Sequence, residues 1–211
     1  MMYSTHLWLF FLVVLAVVVL PGLDMAYVLG SALVGGRKPG LTAVAGIVAG
    51  GVCHVLMSAL GIGIVLKLIP GAFNALLLVG ALYIAWIGIA VLRSHAAFGF
   101  SANADAPSAW ITFRRAALTC LMNPKAYLFM LAIFPQFVRA EYGPIWHQAI
   151  VLGAIIAFTQ IAVYGSLALV ASGARGWLAQ RPNLGVAINR GVGIVLIAAA
   201  VITGINGWRN L

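Results

Sequence analysis

The chain has 211 residues, enough for one domain, of which 64% are apolar and 7% charged, against about 25% charged in an ordinary soluble domain. So few charges cannot solvate a water-facing surface, and a mean hydropathy of +1.12 with several apolar runs longer than about 18 residues places the chain in a lipid bilayer. The net charge of +9 comes from basic residues standing singly or in pairs between apolar runs, a pattern of membrane topology and not of nucleic-acid binding.

Met1 to His6 carries no Lys or Arg, and the run from Leu7 to Leu20 ends in Pro21-Gly22 without a small-x-small cleavage site. Apolar sequence resumes at once, so Leu7 to about Val34 reads as one interrupted membrane element and not as a cleaved leader. Six spans follow, at about 7–35 (broken at Pro21-Gly22), 40–66, 71–93, 115–138 (broken at Asn123-Pro124), 146–173 and 186–208, each long enough to cross about 30 Å of hydrocarbon as a helix. The fold class is an all-α integral membrane protein forming a single transmembrane domain over 1–211. The polar stretch SHAAFGFSANADAPS, within a loop at 94–110, separates half-repeats of three helices at about 1–95 and 112–211.

Loops after spans 1, 3 and 5 hold eight Lys and Arg, among them Arg37, Lys38, Arg114, Arg115 and Arg175. The opposite side holds three, Lys67, Arg139 and Arg209, so both termini are expected outside the cytoplasm. Three helices per half means that the repeats must be inverted. The punctuation agrees: Pro21 and Pro124 lie 103 positions apart, Pro39 and Pro144 105, and Lys67 and Arg175 108.

Proline within a membrane helix removes a backbone donor, and the freed carbonyl needs protein or a watery cavity beside it. Both breaks fall at depth, Pro21-Gly22 about 20 Å and Pro124 about 13 Å from the starts of their spans. Each restart makes a positive helix N-terminus, with Asn123 as a natural cap and Pro124 at the first helical position. Such an arrangement attracts anions.

Charge follows the same breaks. Asp24 is the one acid within a span and Lys125 the one base deep within one, each costing about 2.5–3.5 kcal/mol at a helix centre. The dipole of its own half-helix favours Asp24 but not Lys125, so Lys125 is hard to explain by stability. A plain salt bridge between the two is the structural alternative to a site. A cavity for a zwitterion fits better: half-helix N-termini at Pro21, Gly22, Asn123 and Pro124 together with Lys125 for a carboxylate, and Asp24 for an ammonium. His54 and Gln160, near the middles of spans 2 and 5, are weaker candidates, the first as a proton carrier and the second as a substrate contact, each with helix packing as the alternative. Gly46 and Gly50 read as a close-packing pair. Cys53 and Cys120 read as small buried apolar residues, with no disulfide or zinc spacing.

The segments LPGLDMAYVLGSALVGGRKPGLTAVAGIVAGGVCHVL (20–56), GALYIAWIGIAVLR (80–93) and ALTCLMNPKAYLFMLAIFPQFV (117–138) resemble the LysE/RhtB family of bacterial amino-acid exporters. The resemblance implies a proton-driven secondary transporter, and not an enzyme, in the bacterial inner membrane, exporting amino acids or derivatives and assembling as a homodimer. It covers nearly the whole chain. The family's PGP element corresponds to Pro21, Gly22 and Leu23, departing from the pattern at Leu23, and its NPK element to Asn123, Pro124 and Lys125.

Asp24 is then the expected proton carrier, with His54 in reserve. Aromatic residues such as Tyr27, Tyr83, Trp86, Tyr127 and Phe129 are candidates for shaping the substrate pocket. No cofactor is expected, and no GxxxxGK[ST] loop for ATP occurs. Divalent metal-ion efflux would need more Asp, Glu, His or Cys ligands at depth than Asp24, Cys53 and His54. Membrane thiol-disulfide electron transfer would need two cysteines near the breaks, and only Cys120 lies near one.

Overall fold

A computed structural model describes residues 3–61 and 108–180 continuously, together with single and paired helical positions between 78 and 92 and between 186 and 205. Every regular element among them is helical. The chain opens with α1 (Tyr3–Val19) and α2 (Leu23–Gly35), bent by 58° at Pro21-Gly22. Next comes α3 (Arg37–Ala59). From residue 108 onward come α4 (Ala109–Leu121) and α5 (Pro124–Leu128), and α5 runs on through a π turn (Phe129–Ile133) and a 3-10 turn (Phe134–Phe137). The two halves of this span meet at 48°. The last continuously described helix is α6 (Ile145–Ala179).

Both expected breaks are present, and α3 and α6 are each long and apolar enough to cross a membrane alone. Several boundaries differ from the hydropathy reading, the first span starting at Tyr3 and not 7 and the fifth running to Ala179 and not 173. The helix of the second span ends at Ala59, and Gly61 turns the chain at φ 76° within the stretch expected to be helical; 62–66 lie outside the described residues. The fourth starts at Ala109, where Ser108 Oγ accepts from Ile111 N at 3.3 Å, so Arg114 and Arg115 stand within α4 and not in the loop before it. The second also begins early, at Arg37, because Pro39 is tolerated in a first helical turn. The expected spans 71–93 and 186–208 and the loop 94–110 lie mostly outside the described residues.

Packing follows small residues. A Cβ on Gly46 would collide with Phe113 O and Ala116 Cβ, and one on Gly50 would lie 2.6 Å from Cys120 Cβ. The Gly46 and Gly50 pair thus lets α3 and α4 approach as expected. Since position 46 meets 113–117 and position 50 meets 117–120, these helices run parallel. Gly153 meets Val55, Gly51 meets Gln160 and Gly40 meets Ala168, so α6 runs antiparallel to α3. A core of Phe10, Val14, Val28, Ala32, Ile47 and Leu152 joins the helices. Trp8, Leu60, Phe158 and Val170 are exposed, as lipid-facing side chains should be.

The end of the bundle near the N-terminus is tied by side chains. His6 Nε2 donates to Phe137 O at 2.9 Å. Gln148 Nε2 donates to Arg139 O and Gly143 O, at 2.8 and 2.6 Å, while its Oε1 accepts from Arg139 N at 3.0 Å. These bonds fix the irregular stretch between α5 and α6, including Gly143 at φ 96°.

Candidate functional site

Pro21 has no N–H, so Val17 O in the preceding turn loses its helical donor. The break also bares Leu20 O. Both carbonyls are taken by Lys125, whose Nζ donates to Val17 O at 3.0 Å and Leu20 O at 2.8 Å. Lys125 therefore sits at the wrong end of its own half-helix but at the right end of another, where a cation meets the negative pole of α1. This corrects the expectation that stability leaves Lys125 unexplained. Gly22 permits the approach, since a Cβ there would lie 3.0 Å from Nζ.

The second break is capped from its own sequence. Asn123 Oδ1 accepts from Lys125 N at 3.0 Å with Pro124 at the first helical position, the arrangement its residues favour. No side chain caps α2, which starts at extended Gly22 with Asp24 in its first turn.

Around these breaks lies a cavity of about 50 Å³, lined by Asp24, His54, Asn123, Lys125 and Gln160 along with Val14, Val17, Val18, Gly51, Cys120, Ala126, Phe129, Met130, Ile156 and Tyr164. That is room for a few water-sized groups. Asp24 is 4% exposed and makes no ion pair with Lys125; the salt bridge among the described residues is Arg139 to Glu141 at 3.5 Å. Asn123 and Lys125 are near enough to act on the Asp24 carboxyl, yet Asp24 Oδ1 and Asn123 Nδ2 both lack a partner with hydrogen-bond geometry, as does Gln160 Oε1. An unmet buried polar atom costs about 1–3 kcal/mol, so three facing one cavity mark a place where a polar guest would be stabilised.

His54 is buried, and its Nε2 donates to Cys120 O at 3.1 Å. A carbonyl only accepts, so the proton is on Nε2, leaving Nδ1 as the acceptor of the neutral ring. The ring packs edge-on against Tyr127 at 4.7 Å.

Five of the expected residues, Asp24, His54, Asn123, Lys125 and Gln160, thus line one cavity. Pro21, Gly22 and Pro124 shape it through the backbone. Of the aromatic candidates, Phe129 lines it, Tyr127 lies behind His54, Tyr27 Oη donates to Thr112 O at 3.3 Å, and Trp86 is exposed. Tyr83 is outside the described residues. Cys120 is buried as expected, but Cys53 is exposed, because it turns to the outer side of α3 while Gly50, Gly51 and His54 face inward. Gly51 was legible only as part of a glycine-rich run, and Met130 and Tyr164 only by helical spacing from Asn123 or Ala126 and from Gln160.

A helical membrane protein with two interrupted spans meeting at a buried polar cavity has the form of a solute transporter. The comparisons agree: residues 15–207 match the LysE type translocators, and the chain belongs to that family. It is 32% identical over 204 residues to an uncharacterized membrane protein of Pseudomonas aeruginosa, covering 93% of this chain and 94% of the relative. It is 29% identical over 199 residues to an uncharacterized membrane protein of Vibrio cholerae, covering 93% and 96%. To the homoserine/homoserine lactone efflux protein of Salmonella typhimurium it is 27% identical over 167 residues, covering 79% and 80%. No solved structure matches.

Proposed function

We propose that this chain is a secondary active exporter of amino acids or their derivatives in the bacterial inner membrane, working by proton antiport and alternating access. The observation that carries this reading is the shared cavity: Asp24 from the first break and Asn123 and Lys125 from the second converge on it, and Asp24 Oδ1 and Asn123 Nδ2 are unmet there. Lys125 and the Asn123 amide offer donors to a carboxylate, and Asp24 offers an acceptor to an ammonium. The efflux relatives in Salmonella supply the direction and the substrate class.

The two half-repeats rock about the breaks. Facing out, the site takes a proton on Asp24, which loosens its hold on the ammonium and frees the amino acid. Facing in, it gives the proton up and binds the next substrate, with His54 Nδ1 as a nearby second acceptor. Loading is through parting of the halves, with Gln160 as a further contact. Both termini lie outside the cytoplasm in this reading, and the protein works with small-molecule substrate, protons and lipid, as a homodimer.

Two observations weigh against the other readings. Lys125 in the cavity repels divalent cations, and among the described residues no three His, Cys, Asp or Glu side chains are grouped so as to hold a metal ion. Cys120 lines the cavity while Cys53 is exposed, which suits poorly a paired-thiol reaction.

The test is efflux of labelled homoserine from reconstituted vesicles under an imposed pH gradient. Asp24→Asn should lower gradient-driven transport by about tenfold or more, the scale of a lost charged hydrogen bond. Coupled transport at the wild-type rate in that variant would remove the proton role, and wild-type protein that moves none of a panel of amino acids would remove the exporter reading.

A further inference from the structure

The bonds of Lys125 carry more than a stabilised charge. An ammonium has three N–H donors. Two are spent on Val17 O at 3.0 Å and Leu20 O at 2.8 Å. The third is the one left for the cavity that Lys125 lines beside Asn123 and Asp24. Val17 O is open to this bond because Pro21, four residues on, has no N–H to occupy it. Gly22 leaves the space, since a Cβ would sit 3.0 Å from Nζ and 3.4 Å from Cε.

We propose that Pro21 and Gly22 are positioning residues acting through Lys125: the bared end of α1 aims the ammonium's third N–H into the cavity and so makes the site select a free carboxylate over a masked one. The proposal rests on the exporter reading and narrows its substrate class. Asn123 Nδ2, a buried donor without a partner, is the second hand of the same carboxylate site. Asp24 Oδ1, a buried acceptor without a partner, serves the ammonium that every candidate substrate shares. Homoserine and its lactone then form a natural probe pair. Both carry the ammonium, but the lactone's ester oxygens have no full charge, so Lys125 loses the attraction between two opposite charges that a free carboxylate provides.

The experiment measures half-saturating concentrations for homoserine and homoserine lactone in vesicles containing the full chain. Wild type should favour homoserine by about tenfold, the scale set by a hydrogen bond to a charged group. Pro21→Ala returns a donor to Val17 O, and Gly22→Ala crowds Nζ without changing the donor count; Gly22 has φ −169°, extended backbone that alanine adopts freely. Each should cut the preference by about threefold or more, through weaker homoserine binding with the lactone little changed. Lys125→Met should bring the ratio near one, and adding Pro21→Ala to it should change nothing further.

A wild-type ratio in both Pro21→Ala and Gly22→Ala overturns the proposal, as does an undiminished Pro21→Ala effect in the Lys125→Met background. If one of the two variants does not reach the membrane, the other decides. If wild type moves neither probe, the exporter reading and the substrate selection fail together, while the positioning geometry is still read from thermal unfolding in detergent. There Lys125→Met should lower the midpoint less in Pro21→Ala than in wild type, and equal lowering overturns the geometry as well.

Discussion

Glycine at single positions decides how closely the half-helices can meet. At Gly46 a side chain would run into the backbone of α4 itself, at Phe113 O and Ala117 N, whereas Gly173 on α6 has open space around it. Backbone cannot swing aside as a side-chain tip can. Gly46→Val should therefore destabilise the protein by about 1–3 kcal/mol through overpacking, and Gly173→Ala should stay within about 0.5 kcal/mol. Thermal unfolding in detergent separates them, and equal midpoints would mean that α3 and α4 are not held at this distance. Gly51 differs from both, because its neighbour is the Gln160 amide, with Oε1 2.8 Å from the Cβ position. A side chain there presses on a cavity-lining group and not on the packing of two helices.

At the level of elements, the helix breaks are where the sequence speaks most plainly. Pro21-Gly22 and Asn123-Pro124 are local signals: a missing donor, a capping amide and a fixed φ act within one turn, so they need no knowledge of the rest of the fold. The partner of Lys125 is another matter. Its carbonyls lie 105 and 108 residues away in the chain, and nothing near position 125 foretells which helix end it will meet. The stop at Ala59 is equally hidden, because apolar residues continue through 62–66 and hydropathy does not register a turn at Gly61. The π and 3-10 turns after α5 have no compositional mark beyond Pro135. Pro135 lacks the N–H that would continue the α ladder, which accounts for a change of pitch around it. The cap itself is testable. Asn123→Ala loses the bond to Lys125 N and should cost about 1 kcal/mol, while Asn123→Ser keeps a capping oxygen and should cost only part of that. Unchanged unfolding in Asn123→Ala would show that the second half-helix is held by packing alone.

Over the whole molecule, helix directions and charge fit one arrangement. Since α3 and α4 run parallel, the chain leaves α3 at one end of the bundle and enters α4 at the other. Arg37 and Lys38 at the start of α3 thus share an end with Arg114 and Arg115 near the start of α4. Arg139 stands at the opposite end, beside Glu141 and near the His6 to Phe137 bond that ties α1 there. On the positive-inside bias the proposed orientation assigns the basic cluster to the cytoplasmic end, with His6, Arg139 and the start of α6 at the outer one. That polarity decides which side loads substrate, so it bears on any export cycle. It can be read in cells with Cys53→Ser and Cys120→Ala as background and one new cysteine at a time. Glu141→Cys lies in an exposed turn at the outer end, and Gly176→Cys, with open space around it, lies near the C-terminal end of α6. A membrane-impermeant maleimide added to intact cells should label Glu141→Cys and spare Gly176→Cys until the membrane is opened. Labelling in the reverse order would place Arg37, Lys38, Arg114 and Arg115 on the outer surface, and the proton and substrate steps proposed for Asp24 would then have to run the other way across the bilayer.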